Sequence, residues 1–187
     1  MKKIIVIMAL CSSMGLMAQE AAVEPVKTWK TGGNTGLSFT QTSLTNWAAG
    51  GENSLATNAY LSLFANWAQG KSAWDNTLDL AYGLLKQGDQ DVRKSDDKMD
   101  LASKFGYKAS DKWFYTALLN FKSQFTDGYK YPDDSTVIST FLAPGYVTAS
   151  LGMDYKPNDR FTAFISPLTS KFTIVNDQAL ADAGAYG

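Results

Sequence analysis

From residue 29 onward, apolar and polar residues alternate with a period of two rather than 3.6, which predicts strands and not helices. The pattern is clearest over residues 54–67 and 73–85. Between them, Gly70-Lys71 reads as a two-residue hairpin turn, because glycine at the first central position supplies the positive φ of a type II′ turn. Folding about that turn sets Trp67 opposite Trp74, Leu63 opposite Leu78 and Leu61 opposite Leu80. The other face carries Ser54, Asn58, Ser62 and Asn66 against Asp75, Thr77, Asp79 and Ala81. One face is apolar and ends in paired tryptophans; the other is largely polar.

The same reading expects five more strands, at 34–44, 98–108, 112–125, 141–155 and 161–175, the last interrupted near Pro167. Gly50-Gly51 marks a connection, without the following Lys-Ser/Thr that a phosphate-binding loop requires. The charged stretch 86–97 and the segment 126–139, with its Asp127-Gly128 and Tyr131-Pro132, read as loops. Tight turns are expected at 109–111 and 156–160.

Three regularities favour a membrane barrel over a soluble one. Connections after the first, third and fifth strands are longer than those after the second, fourth and sixth, as in barrels with short periplasmic turns and longer outer loops. Each short turn is bracketed by apolar-face aromatics: Trp67 with Trp74, Tyr107 with Trp113, Tyr155 with Phe161. Such rings favour the headgroup level of a bilayer. The opposite face is too charged for a dry core, where each ion costs several kcal/mol on the usual estimate. Pairing the third strand with the fourth is expected to put Asp79 opposite Lys104 and Asp75 opposite Lys108. The expected fold is therefore all-β, an antiparallel up-and-down transmembrane β-barrel with about seven strands present. Single-chain bacterial barrels have even strand numbers and end in a closing strand with a terminal aromatic; this chain stops at Ala185-Tyr186-Gly187, so it is expected to be an incomplete barrel or fragment. A secreted β-sandwich with one wet face is the competing architecture.

Residues 1–18 have the form of a signal peptide, with Lys2-Lys3, a short apolar run and Ala18 at the cleavage position. Leu10 is too large for the small residue that precedes a lipidated cysteine, so Cys11 is read as part of the leader. Residues 19–28 form a lead-in and 29–187 the barrel domain, exported to the cell outer membrane.

Composition removes chemistry. The 187 residues include no histidine, and the one cysteine lies in the leader. Ser-His-Asp and Cys-His nucleophiles, the commonest metal ligand and disulfides are all absent. With 17 basic and 18 acidic residues nothing points to nucleic acid, and a mean hydropathy of −0.18 excludes a bundle of membrane helices. No catalytic, cofactor or metal site is expected. Asp75, Asp79, Asp100, Lys104, Lys108 and Lys122 are candidate lumen-lining residues, either a selectivity lining for small polar solutes or a salt-bridged interior that conducts nothing. Asp89, Asp91, Asp96, Asp97, Asp127, Asp133 and Asp134 are read as solvated loop charge, since no spacing matches a calcium loop.

The leader, Trp29-Lys30, the run Ser43-Leu44-Thr45-Asn46-Trp47-Ala48-Ala49-Gly50-Gly51-Glu52-Asn53-Ser54, the segment Leu142-Ala143-Pro144-Gly145-Tyr146 and the segment Ile165-Ser166-Pro167-Leu168-Thr169-Ser170-Lys171 resemble an uncharacterised β-barrel family of Bacteroidota outer membranes, domain-of-unknown-function 3078. The resemblance implies outer-membrane lipid and the barrel-assembly machinery as partners, and members longer than this chain. It carries no activity, so no functional residue is transferred. The functional expectation is a non-enzymatic pore, channel or structural/receptor component; the alternative is a secreted or periplasmic soluble β-rich ligand-binding module.

Overall fold

The computed structural model describes residues 29–46, 49–158 and 160–187. The expected leader and lead-in, Trp47 and Asp159 lie outside the described residues. Nine strands and one short helix follow in order: β1 (Trp29–Thr42), β2 (Ser54–Gln69), β3 (Ser72–Gln87), β4 (Arg93–Lys108), β5 (Trp113–Ser123), β6 (Gly128–Tyr129), β7 (Val137–Ser139), β8 (Gly145–Asn158), β9 (Phe161–Ile174) and α1 (Gln178–Asp182). Seven form one sheet in the order β1-β2-β3-β4-β5-β8-β9, every pair antiparallel. β6 and β7 make a separate two-stranded hairpin inside the connection from β5 to β8. The fold is the expected all-β up-and-down meander. It is not closed, since β1 and β9 each have one neighbour in the sheet, and this openness is consistent with an incomplete barrel.

Among the described residues no second layer packs on this sheet. Ala143 is the one buried hydrophobic residue among the described residues, whereas leucines, phenylalanines, tyrosines and tryptophans along the strands stay exposed. A soluble domain buries such a face against another element; here it is uncovered.

The β2–β3 hairpin has the expected register, with Trp67 across from Trp74, Leu63 from Leu78 and Leu61 from Leu80. Gly70 has φ +58 and Lys71 does not share that conformation, as a II′ turn requires. On the polar face, Ser62 meets Asp79 and Asn66 meets Asp75 as expected, but Thr77 and Ala81 face Phe64 and Tyr60. Those two rings lie over β1. A Cβ on Gly32 would sit 2.7 Å from Phe64 Cε1, and one on Gly36 would sit 2.3 Å from Tyr60 Cε1. The two rings occupy the space a side chain at either glycine would fill, so a larger residue there would have to displace them.

Two expectations are corrected. The charged stretch 86–97 is not a loop: β3 runs to Gln87, β4 starts at Arg93, and residues 88–92 alone connect them. Polar strand residues are tied across the ladder, Asn58 Nδ2 donating to Asp96 at 3.2 Å and Arg93 to Gln87 Oε1 at 2.8 Å, so pairing continues where apolar alternation has stopped. In consequence the β3–β4 register differs: Lys104 faces Asp75, and Asp79 faces Asp100. The expected pairs centre midway between 91 and 92; Leu85 across from Arg93 puts the real centre at 89, and the bulge beside Gly83 and Leu84 takes back one residue, leaving a shift of four.

The remaining boundaries shift modestly. β5 ends at Ser123, β8 begins at Gly145, and Pro157 and Asn158 belong to β8 rather than to the turn. Pro167 sits within β9 near a register irregularity between Leu151 and Met153. There the single Ser166 hydroxyl proton lies within reach of the Leu151 and Leu168 carbonyls and can serve either, beside a proline that lacks an N–H. Connections 70–71, 109–112 and 159–160 lie at one end of the sheet. The connections 43–53, 88–92 and 124–144 lie at the other.

Candidate functional site

Strand alternation sorts the side chains onto two faces. All six candidate lumen residues, Asp75, Asp79, Asp100, Lys104, Lys108 and Lys122, fall on one face by register. Their partners differ from those expected. Lys104 Nζ reaches across β5 to Asp154 Oδ2 at 2.6 Å, and Lys156 Nζ lies 3.8 Å from the same oxygen. Lys108 pairs with Asp111 of the adjoining turn at 3.1 Å, not with Asp75. Asp79 accepts from the Ser62 hydroxyl at 2.6 Å. Asp100 accepts from Asn120 Nδ2 at 2.7 Å, with Lys122 at 3.3 Å and Lys98 at 3.7 Å on its other oxygen.

The centre of this face was not among the expected residues. Asp154 is 1% exposed, yet it stands on the polar face with Tyr146, Thr148 and Ser150. Its register neighbours are Phe114 and Phe164. Those rings also sit under the lysines: Lys104 Nζ is 5.2 Å from the Phe164 centroid and Lys156 Nζ 5.3 Å from that of Phe114. Period-two counting through β8 was the signal that could have found Asp154.

The opposite face is apolar, and at the short-turn end it carries a band of aromatics. Trp67, Trp74, Tyr107, Trp113, Tyr155 and Phe161 all lie there. The Trp67–Trp74 pairing is as expected, but Tyr107 faces Tyr115, Trp113 faces Tyr155 with centroids 4.7 Å apart, and Phe161 faces Asn158. Trp29 joins the band, 5.8 Å from Trp74. Further up, Phe105, Leu119, Leu151 and Leu168 border a shallow groove of about 500 Å³.

The polar residues on this apolar face bond inward. Trp74 Nε1 donates to Ser103 Oγ at 2.8 Å, the Ser103 hydroxyl to Asn76 Oδ1 at 2.8 Å, and Asn76 Nδ2 to the Ala65 carbonyl at 3.1 Å. The Thr35 hydroxyl likewise donates to the Tyr60 carbonyl at 2.8 Å. These four side chains each donate to a protein acceptor, which lowers the polarity they show on this face.

At the long-connection end, Asp97 holds the start of the 124–144 segment. Its carboxylate accepts from the Phe125 and Thr126 N–H groups at 2.8 and 3.0 Å and from Lys94 Nζ at 2.7 Å, while Lys94 also donates to the Thr126 carbonyl at 2.8 Å. Burial pushes the Asp97 carboxyl up, but the Lys94 and backbone hydrogen bonds outweigh it and hold the group below its ordinary value. Asp133 is brought down to about 2 by the Ser135 and Thr136 hydroxyls and the Ser135 N–H. These two acids, expected as free loop charge, are therefore structural. No group of three or more metal-ligating side chains occurs among the described residues.

Comparison with known families places a match on residues 39–129, to a family described as "Protein of unknown function (DUF3078)". The matched region runs from β1 into β6. It includes the Asn-Trp-Ala-Ala-Gly-Gly-Glu-Asn run, but not Trp29-Lys30 or the segments at 142–146 and 165–171 that also carried the resemblance. No curated protein and no solved structure matches the chain.

Proposed function

We propose that the chain forms part of an outer-membrane β-barrel whose polar face lines a passage for small polar solutes. The observation that carries this reading is the pairing of an uncovered apolar face with a charged one on a single sheet. In water that face is costly, since each large apolar side chain gains roughly 1.5–3 kcal/mol on leaving it. In lipid it is the natural outer surface, with aromatics at one headgroup level and the Trp74, Ser103, Asn76 and Thr35 donors bonded within the protein. Export by the leader and insertion by barrel-assembly machinery belong to the same proposal. So does a non-catalytic role, since the chain has no histidine to activate a nucleophile.

Fractionation of cells expressing the full chain tests the reading. It expects the protein in the outer-membrane fraction, released by detergent and not by carbonate or high salt. Recovery as a detergent-free soluble monomer overturns it in favour of the secreted binding module.

A further inference from the structure

The polar face does not present its two signs of charge equally. Asp154 lies at the back of its cluster with its side chain 2% exposed, while Lys104 and Lys156, which share its Oδ2, are 25% and 35% exposed. Asp100 repeats the arrangement: 15% exposed, with Lys98 and Lys122 in front at 48% and 54%. In each cluster two ammonium groups converge on one carboxylate oxygen, and a second carboxylate stands across on β3, Asp75 opposite Lys104 and Asp79 opposite Asp100. The carboxylate fixes the two lysines, and a solute meets the ammonium groups first. The β1–β3 part of the same face differs, carrying Asn34, Asn66, Ser62, Asp75 and Asp79 with the Tyr60 and Phe64 rings.

We propose that the polar face of β4, β5 and β8 holds two stations for small oxyanions, one at Lys104–Asp154–Lys156 and one at Lys98–Asp100–Lys122. The ligand class is a phosphate- or carboxylate-bearing solute whose oxygens bridge the paired ammonium groups by charge-assisted hydrogen bonds. Residues 100 and 104 share a strand, so the stations are separated by roughly 13 Å along it at about 3.4 Å per residue. A multivalent anion leaving one station then meets the second before bulk solvent, the multi-site arrangement that lets binding coexist with transit. The transit clause rests on the reading of a solute passage; the binding clause rests only on the accessibility of this face.

Calorimetric titration of the full chain in detergent with pyrophosphate, with citrate and with spermidine tests the stations. Binding of at least one oxyanion, weakened by salt, with no binding of spermidine is the expected result. Pyrophosphate alone assigns the phosphate class and citrate alone the carboxylate class. Replacing both exposed lysines of the outer station, Lys98→Gln with Lys122→Gln, leaves Asp100 with the Asn120 amide and should weaken oxyanion binding about tenfold. Lys104→Gln with Lys156→Gln should do the same where the variant folds. Equal or tighter spermidine binding, no oxyanion binding, or unchanged affinity in the Lys98/Lys122 variant overturns the proposal. Planar-bilayer conductance separates it from the passage: anion binding without conductance keeps the stations and removes the passage, whereas conductance without anion binding does the reverse.

Discussion

Lys104 passes the Asp75 directly across from it and places its ammonium 2.6 Å from Asp154 Oδ2, two strands away. Its side chain crosses β5, whose Leu118 is its register partner, to reach that carboxylate. The contact ties β4 to β8 independently of the backbone ladder.

Removing the lysine should therefore cost more than removing the acid. Lys104→Met leaves Asp154 buried beside only the more distant Lys156, an uncompensated charge worth about 3 kcal/mol at the low end of the buried-pair range. Asp154→Asn should cost less, since no buried charge is stranded. Denaturant unfolding in detergent, analysed as a double-mutant cycle, measures the difference, and additive losses would show that the pair is not coupled.

Charge reversal discriminates between registers. Asp79→Lys with Lys104→Asp should not recover what either single change loses, because Asp79 bonds Ser62 and faces Asp100. Lys104→Asp with Asp154→Lys should recover part of it. Recovery in the first pair and not in the second would contradict the β3–β4 pairing described above.

Asp97 makes the start of the long connection sensitive to acid. Its carboxyl is held below the ordinary 3.8 in the folded chain, so its stabilisation is complete above that value and is lost as pH falls through the lower folded value. Hydrogen exchange at the Phe125 and Thr126 amides, corrected for intrinsic rates, should show protection above pH 4 that declines below it. Asp97→Asn should accelerate exchange there about tenfold at neutral pH, the equivalent of one charged hydrogen bond. A variant with unchanged exchange removes the clamp.

On the apolar face, Ser103 is both acceptor and donor. Ser103→Ala leaves Trp74 Nε1 and Asn76 Oδ1 unpaired and should cost roughly 1–2 kcal/mol, whereas Ser103→Thr should cost much less. Adding Asn76→Val and Trp74→Phe to the alanine variant should restore part of the loss, because the Trp74 donor and Asn76 acceptor are then gone and only the Ala65 carbonyl loses a partner. Unfolding free energies in detergent check the series.

What could be read from the chain alone depended on where the ladder coincides with apolar alternation. Gly70 pins the β2–β3 register, and every apolar pair there follows from it. Between β3 and β4 the ladder continues through Arg93, Lys94, Asp96 and Asp97, which pair as strand residues without looking like them, with Ser95 left over at the bulge, and the register moved accordingly. Asp154 was masked by a different feature: its neighbours across both adjoining strands are phenylalanines, so local polarity does not announce it. β6 and β7 are too short for any period to register. The two-face division survived all of this, because shifts of an even number of residues leave each side chain on its own face.

The strand order has a kinetic consequence. Each strand of the meander touches the one before and the one after, so the sheet is close to a one-dimensional chain of coupled units, able to zip from the Gly70 hairpin outward. One joint breaks the sequence of short closures: β5 must find β8 across residues 124–144. Closure entropy rises only slowly with loop length, about 0.6 kcal/mol per doubling. By fastening Phe125 and Thr126 to β4, Asp97 removes the first part of that search, and the clamp at the rim becomes the point at which a zipper crosses its own gap.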